Sequence, residues 1–303
     1  MKRRTFLTMT ATLPFAVKAT AATLQPFRIG LITDVQYADA EPWGERHYRA
    51  SIPKLKAAAA DLASRKLPFS LHLGDVIDRD LPSYANILPA FADLGHPVRH
   101  LLGNHDFIEN DPANIKLPAL LGMPANYYAF DAQGFRFIML DTNDLSTYAH
   151  PLESEAHKRA VAALEELKKQ DVPNAKPWNG ALSAKQLEWL DHELLRCDER
   201  KTPVIVCGHH PLAPVEMHAA WNHKEILAVL TRHPSTKAYL SGHNHAGADE
   251  VRDGLPCITF KSLLHEPDVT AYSILTISAE AIEVEGFGRE ISRRIPLRVS
   301  NTQ

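Results

Sequence analysis

FRIGLITDVQYAD, residues 27–39, is the stretch on which the fold turns. Its apolar run from Phe27 to Thr33 has the composition of a buried strand and ends in Asp34 and Gln36, two positions apart. On an extended segment such a pair projects to one side and can chelate one cation. Four further runs end in the same way: LHLGDVIDRD at 71–80 in Asp75 and Asp78, LLGNHD at 101–106 in Asn104 and His105, VIVCGHHP at 204–211 in His209 and His210, and YLSGHNH at 239–245 in His243 and His245. Each polar block falls where a strand should leave a sheet, which is where α/β proteins place chemistry.

The rest of the chain narrows the class. Its 303 residues are ample for a large core, and a formal net charge of -3 gives no basic footprint of the kind a nucleic-acid polymer or an anionic membrane surface would require. Histidine is in excess, with 16 residues, and histidine is both a common metal ligand and an acid or base near neutral pH. Cys197, Cys207 and Cys257 are too scattered for a disulfide framework, and Cys207 and Cys257 lie in apolar runs as small hydrophobes. The first residues, MKRRTFLTMTATLPFAVKATAA, join Arg3 and Arg4 to a short apolar stretch and an Ala-x-Ala site at Ala19 to Ala21. They read as a twin-arginine signal over residues 1–21. The expectation is export of the folded chain through the twin-arginine machinery to the periplasm, with no stable membrane association afterwards.

One domain, residues 26–298, is the simplest organisation. Strands are expected at Phe27–Thr33, Phe69–Leu73, Val98–Leu102, Phe135–Leu140, Val204–Cys207 and Lys237–Leu240. Three-and-four spacing predicts helices over Tyr48–Arg65, Ser154–Lys169 and Ser183–Cys197, the last with Ser183 as N-cap. Tyr127–Phe130 and Phe135–Leu140 should form a hairpin through Gln133 and Gly134. The later strand-rich stretch, Ile258–Phe260, Tyr272–Ile277 and Ile282–Glu285, suggests a second sheet packed on the first. Between Asn143 and Gly180 the charged, proline-bearing chain is a surface excursion, either an inert insertion or part of the rim of the site.

Glycine precedes Asp75, Asn104, His209 and His243, allowing tight turns at each strand end. The blocks together offer nitrogen and oxygen ligands without thiolate, enough for two divalent ions that share one carboxylate.

At these residues, and in the same order, the chain resembles the calcineurin-like metallophosphoesterase superfamily, over nearly all of its length after residue 26. The resemblance implies an α/β fold, a four-layer αββα sandwich with two mixed sheets. It implies one metal held by Asp34, Gln36, Asp75 and His245, and the other by Asp75, Asn104, His209 and His243. The superfamily's first motif is usually Asp-x-His; Gln36 replaces that histidine with a hard amide oxygen, which favours Mn²⁺ or Mg²⁺ over softer, imidazole-loving ions, with Fe and Zn as the alternatives. DVQYAD, GNHDF at 103–107, FRFIMLDTNDLS at 135–146, NGALSAKQLEWL at 179–190, AWNHKEIL at 220–227 and GHNHAG at 242–247 are similar to the manganese-dependent ADP-ribose/CDP-alcohol diphosphatases. Membership there implies hydrolysis of a phosphoanhydride in a small nucleotide conjugate.

Around that core, His105 is the candidate general acid or phosphate-orienting group, because its neighbour Asn104 is committed to metal. Asp78 is placed to hold its imidazole, as in related phosphatases. Arg79, in a GDxxDR pattern, could clamp phosphate or make a surface ion pair. Tyr37, Trp43 and Trp221, the last with Asn222, are the candidates for a base platform, each with core packing as the alternative. His210 should point away from the metal, while His72, His96, His100, His218 and His223 read as surface or packing residues. A phosphodiesterase or phosphomonoesterase on the same scaffold, and a non-catalytic metal-binding module, are the competing readings.

Overall fold

A computed structural model describes residues 24–78 and 80–299. Arg79 and the N-terminal signal-like segment, residues 1–21, lie outside the described residues.

Two six-stranded sheets form the frame, and both are mixed. In chain order the strands are β1 (Phe27–Ile32), β2 (Ser70–His72), β3 (Val98–His100), β4 (Tyr128–Ala132), β5 (Phe135–Met139), β6 (Val204–Cys207), β7 (Thr236–Ser241), β8 (Ala248–Arg252), β9 (Leu255–Thr259), β10 (Ala271–Ile277), β11 (Ala281–Gly288) and β12 (Arg293–Pro296). The first sheet runs β12-β11-β10-β1-β2-β3 and the second β4-β5-β6-β7-β9-β8. β1, β2 and β3 are mutually parallel, as are β5, β6, β7 and β9.

The helices are α1 (Ser51–Ser64), α2 (Ser83–Ala92), α3 (Leu117–Leu120), α4 (Glu155–Lys169), α5 (Ala184–Arg200) and α6 (His223–Arg232). Strand parity sorts the layers. On β5 and β6, Phe137, Met139, Ile205 and Cys207 face the core shared with Ile29 and Leu31 of β1. Their neighbours Ile138, Val204 and Val206 face the other way, onto Leu190 and Leu194 of α5 and Ile226 and Leu230 of α6. The period of two thus places β5 and β6 between two apolar layers, as the αββα sandwich requires. Local chemistry fixes the ends: Ser154 Oγ accepts from His157 N and Ser183 Oγ from Gln186 N at the starts of α4 and α5. Gln133 and Gly134 take positive φ in the β4–β5 hairpin, as a two-residue turn of that twist demands.

One expectation needs correction. The later strands do not form a sheet of their own. β9 joins the second sheet, whereas β10 pairs antiparallel with β1, so β10, β11 and β12 extend the first. Alternation shows which face of a strand is buried but not which edge receives it.

Candidate metal centre

The blocks converge because their strands are parallel. Asp34, Asp75 and Asn104 follow β1, β2 and β3 of one sheet, while His209 and His243 follow β6 and β7 of the other. The ligands therefore meet across the two sheets. Oxygen and nitrogen atoms of Asp34, Asp75 and His245 lie within 4.8 Å of one another, and so do those of Asp75, His209 and His243, which makes Asp75 the common member. Asn104 Oδ1 is 3.2 Å from His209 Nε2, beside the second group. Gln36 Nε2 is 2.6 Å from Asp75 Oδ2 and 3.3 Å from His245 Nε2, beside the first.

The backbone is bent to bring this about. Asp34, Gln36, Asp75 and His243 all take positive φ, between 44° and 67°, a region that non-glycine residues enter only when the surroundings impose it. Gly74, at φ 95°, packs so closely that a Cβ would lie 2.6 Å from both Gly103 N and His209 Nδ1. No other residue fits between the second and fourth blocks.

The donor set fits divalent cations. Gln36 Oε1 is buried without a hydrogen-bond partner, while its Nε2 points at Asp75 and His245. A half-turn of the isosteric amide puts Oε1 among those acceptors, a cluster that a cation satisfies. His209 Nδ1 lies 2.8 Å from the Leu73 carbonyl, so that nitrogen carries the proton and Nε2 offers its lone pair. Burial opposes a charge on His209, yet Asp75 and Asp34 raise its pKa to about 9. The two carboxylates thus favour positive charge at this spot, which a divalent ion supplies.

A surrounding shell orients these groups. His243 Nε2 is 2.9 Å from Asn179 Oδ1, leaving Nδ1 for metal. His245 Nδ1 is 2.8 Å from His265 Nε2, and His265 Nδ1 is 3.3 Å from Glu45. The buried Lys54 ammonium reaches four successive carbonyls, those of Leu263, Leu264, His265 and Glu266, at 2.6, 2.9, 3.1 and 2.7 Å. It pins the loop that carries His265. The Asp106 carboxylate accepts from the backbone N–H groups of Asp75, Val76 and Gly103 and from the Tyr84 hydroxyl. Asn179, His265, Lys54 and Asp106 carried no strand-end signal of their own, apart from the aspartate in GNHD and the asparagine in NGALS.

His105 lines the cavity over this centre, with Nδ1 2.9 Å from Asp78 Oδ1 and Nε2 left for a ligand. Burial disfavours its cation, but the Asp75 and Asp78 carboxylates outweigh burial and raise its pKa. His210 points away, toward Thr142 Oγ1 at 2.7 Å and the Trp178 carbonyl at 3.3 Å.

The cavity holds about 700 Å³ and is walled by Trp43, Arg46, Trp178, His218 and His265 among others. Of the expected platforms only Trp43 belongs to it. Tyr37 is buried in the main core, its backbone paired with Ile77. Trp221 packs against Ala160, Leu164 and Ala181, with Nε1 on the Lys176 carbonyl, and Asn222 is tied through its side chain to Leu182. Both face a different cavity, between α4, α5 and α6. They serve packing because the block AWNHKEIL turns away from the metal groups to start α6. His218, expected as a surface or packing residue, lines the metal cavity instead, its ring 5.3 Å from that of His243. The excursion after Asn143 also reaches the site, through Trp178 and Asn179.

The family model described as calcineurin-like phosphoesterase matches residues 27–247. A manganese-dependent ADP-ribose/CDP-alcohol diphosphatase of Danio rerio is 29% identical over 87% of this chain and 96% of its own. The protein of the same name from Arabidopsis thaliana is 33% identical over 75% of this chain and 83% of its own. The crystal structure of a dimetal phosphatase from Danio rerio superposes with a TM-score of 0.77 at 28% identity, covering 90% of this chain and 99% of that one.

Proposed function

The chain belongs to the calcineurin-like phosphoesterase family of metal-dependent hydrolases, and from that premise we propose that it cleaves the phosphoanhydride of nucleoside diphosphate conjugates of the ADP-ribose and CDP-alcohol type, releasing a nucleoside monophosphate. The observation that carries this reading is a cavity that joins a dinuclear ligand set to an exposed indole. Asp75 stands between two ligand groups at its floor, and Trp43, 68% exposed, stands on its wall.

When bound, two divalent ions, Mn²⁺ by the names of the relatives and the hard amide oxygen of Gln36, supply Lewis acidity at the phosphoryl oxygens and lower the pKa of the attacking water. The chain's own residues do the rest. Asp34, Gln36, Asp75 and His245 hold the first ion; Asp75, Asn104, His209 and His243 hold the second. His105, steadied by Asp78, directs Nε2 into the cavity, where it donates to a phosphoryl oxygen or protonates the leaving oxygen. Trp43, with the Arg46 guanidinium 5.5 Å from its ring centre, offers a stiffened surface for the base.

The test is a product screen on Mn²⁺-loaded protein with ADP-ribose, CDP-choline, CDP-glycerol and cyclic nucleotides. AMP or CMP from the conjugates is the expected result. Ring opening alone would support a phosphodiesterase, inorganic phosphate alone a phosphomonoesterase, and no turnover at full metal occupancy a binding module. His105→Ala is expected to keep both ions by elemental analysis and lose most turnover. From the twin-arginine-like start we also propose that this activity is periplasmic, a reading that fails if the mature protein retains residues 1–21 and fractionates with the cytoplasm.

A further inference from the structure

Two of the four tryptophans are packed away, and the other two flank the metal centre. Trp189 lies 4.8 Å from the Tyr127 ring, and Trp221 is buried among Ala160, Leu164 and Ala181. Trp43 and Trp178 are 68% and 41% exposed, and both line the metal cavity. An indole is costly to leave in water, and exposed apolar surface gathered around one cavity marks recognition.

Each is tied to a different ligand group. Trp43 pairs by backbone with Arg46, Arg46 with His265, and His265 holds His245, a ligand of the first group. Trp178 accepts from His210 at its carbonyl and precedes Asn179, which holds His243, a ligand of the second group. A diphosphate spanning both groups would have one substituent on the side braced through Trp43 and the other on the side braced through Trp178.

We infer that the preferred substrates are conjugates with a planar ring at both ends of the diphosphate, dinucleoside diphosphates or dinucleotides, with Trp43 stacking one ring and Trp178 the other. This rests on the diphosphatase reading above and names its substrate class. The reaction balances as a hydrolysis: the oxygen of water bonds to one phosphorus, the bridging P–O bond breaks, its electron pair stays on the leaving phosphate, and two nucleoside monophosphates result. The cavity of about 700 Å³ is in the upper part of the range for small-molecule sites, which suits a two-ring ligand.

The experiment uses Mn²⁺-loaded full-length protein with diadenosine diphosphate, NADH and ADP-ribose. For the unaltered chain, KM for diadenosine diphosphate should lie about tenfold below that for ADP-ribose, as one additional base stack warrants. Trp178→Ala should raise KM for diadenosine diphosphate about tenfold more than for ADP-ribose, and Trp178→Phe should restore it. Trp43→Ala should raise KM for both. Binding of diadenosine methylenediphosphonate, followed by tryptophan fluorescence, should weaken in Trp178→Ala by the same factor, while binding of α,β-methylene-ADP should not follow it. The inference is overturned if ADP-ribose is cleaved and the two-ring compounds are not, or if Trp178→Ala affects one-ring and two-ring ligands equally. Failure to cleave ADP-ribose and CDP-choline, with two-ring compounds equally inert, removes the diphosphatase reading itself.

Discussion

The carboxylate of Asp106 accepts a hydrogen bond from the backbone N–H of Asp75 at 2.9 Å, and with its remaining lone pairs it accepts from Gly103 N and Val76 N, each at 2.8 Å. One buried side chain thereby locks the second metal block to the third. Burial and the Asp75 charge raise its pKa to about 6, against the pull of these donors and Tyr84.

Replacing Asp106 by asparagine turns one acceptor oxygen into an N–H₂ that faces backbone donors. The expected cost is about 2–4 kcal/mol of stability, since buried donors are left unpaired. Urea denaturation reads the loss, and elemental analysis should find less than two Mn²⁺ per chain. Unchanged stability would show that the three N–H groups find other acceptors.

Gln36 is the candidate ligand on which metal preference should turn. Gln36→His puts an imidazole where the amide stands and should shift competition between Mn²⁺ and Zn²⁺ toward Zn²⁺ by tenfold or more. Gln36→Ala should lower Mn²⁺ occupancy at the first group, leaving about one ion per chain. Equal metal content in all three proteins would remove Gln36 from the ligand set.

Lys54 acts on the metal through structure. Its ammonium gathers the carbonyls of residues 263–266, and burial lowers its pKa to about 8. Lys54→Met should free the loop that carries His265 and weaken the first Mn²⁺ by about 10- to 100-fold, as outer-shell losses do. Titration calorimetry checks this. Saturating Mn²⁺ should recover turnover in Lys54→Met, whereas a purely global defect would not respond to metal.

His72 and His100 face each other across β2 and β3 at 5.1 Å and pack edge-on against Phe91. Burial lowers the pKa of His100 to about 4 and that of His72 well below its ordinary value. The folded state therefore binds fewer protons than the unfolded one between pH 6.5 and about 4, so stability is full above pH 6.5 and falls as pH drops through that window. For His100 alone the limit is about 3 kcal/mol. His100→Phe should flatten the acid limb of a Tm-against-pH curve, and an unaltered limb would place the acid sensitivity elsewhere.

The linear chain determined most of the chemistry. An apolar run closing on Asp-x-Gln, with four more closing on Asp, Asn and His, is legible because strands bury alternate residues and metals need clustered donors. Positions 34, 36, 75, 104, 209, 243 and 245 stand out for that reason, whereas their division between two ions and the Asp78–His105 pairing came from the family resemblance. Tertiary structure decided what periodicity cannot encode. Which edge β10 joins, how three blocks from one sheet meet two from the other, and that Lys54, Asp106, Asn179 and His265 brace the ligands all depend on contacts between residues remote in sequence. Trp43, Trp178 and Trp221 look alike as letters. Packing against α4 buries Trp221, while the loops that carry Trp43 and Trp178 leave those two indoles on the metal cavity.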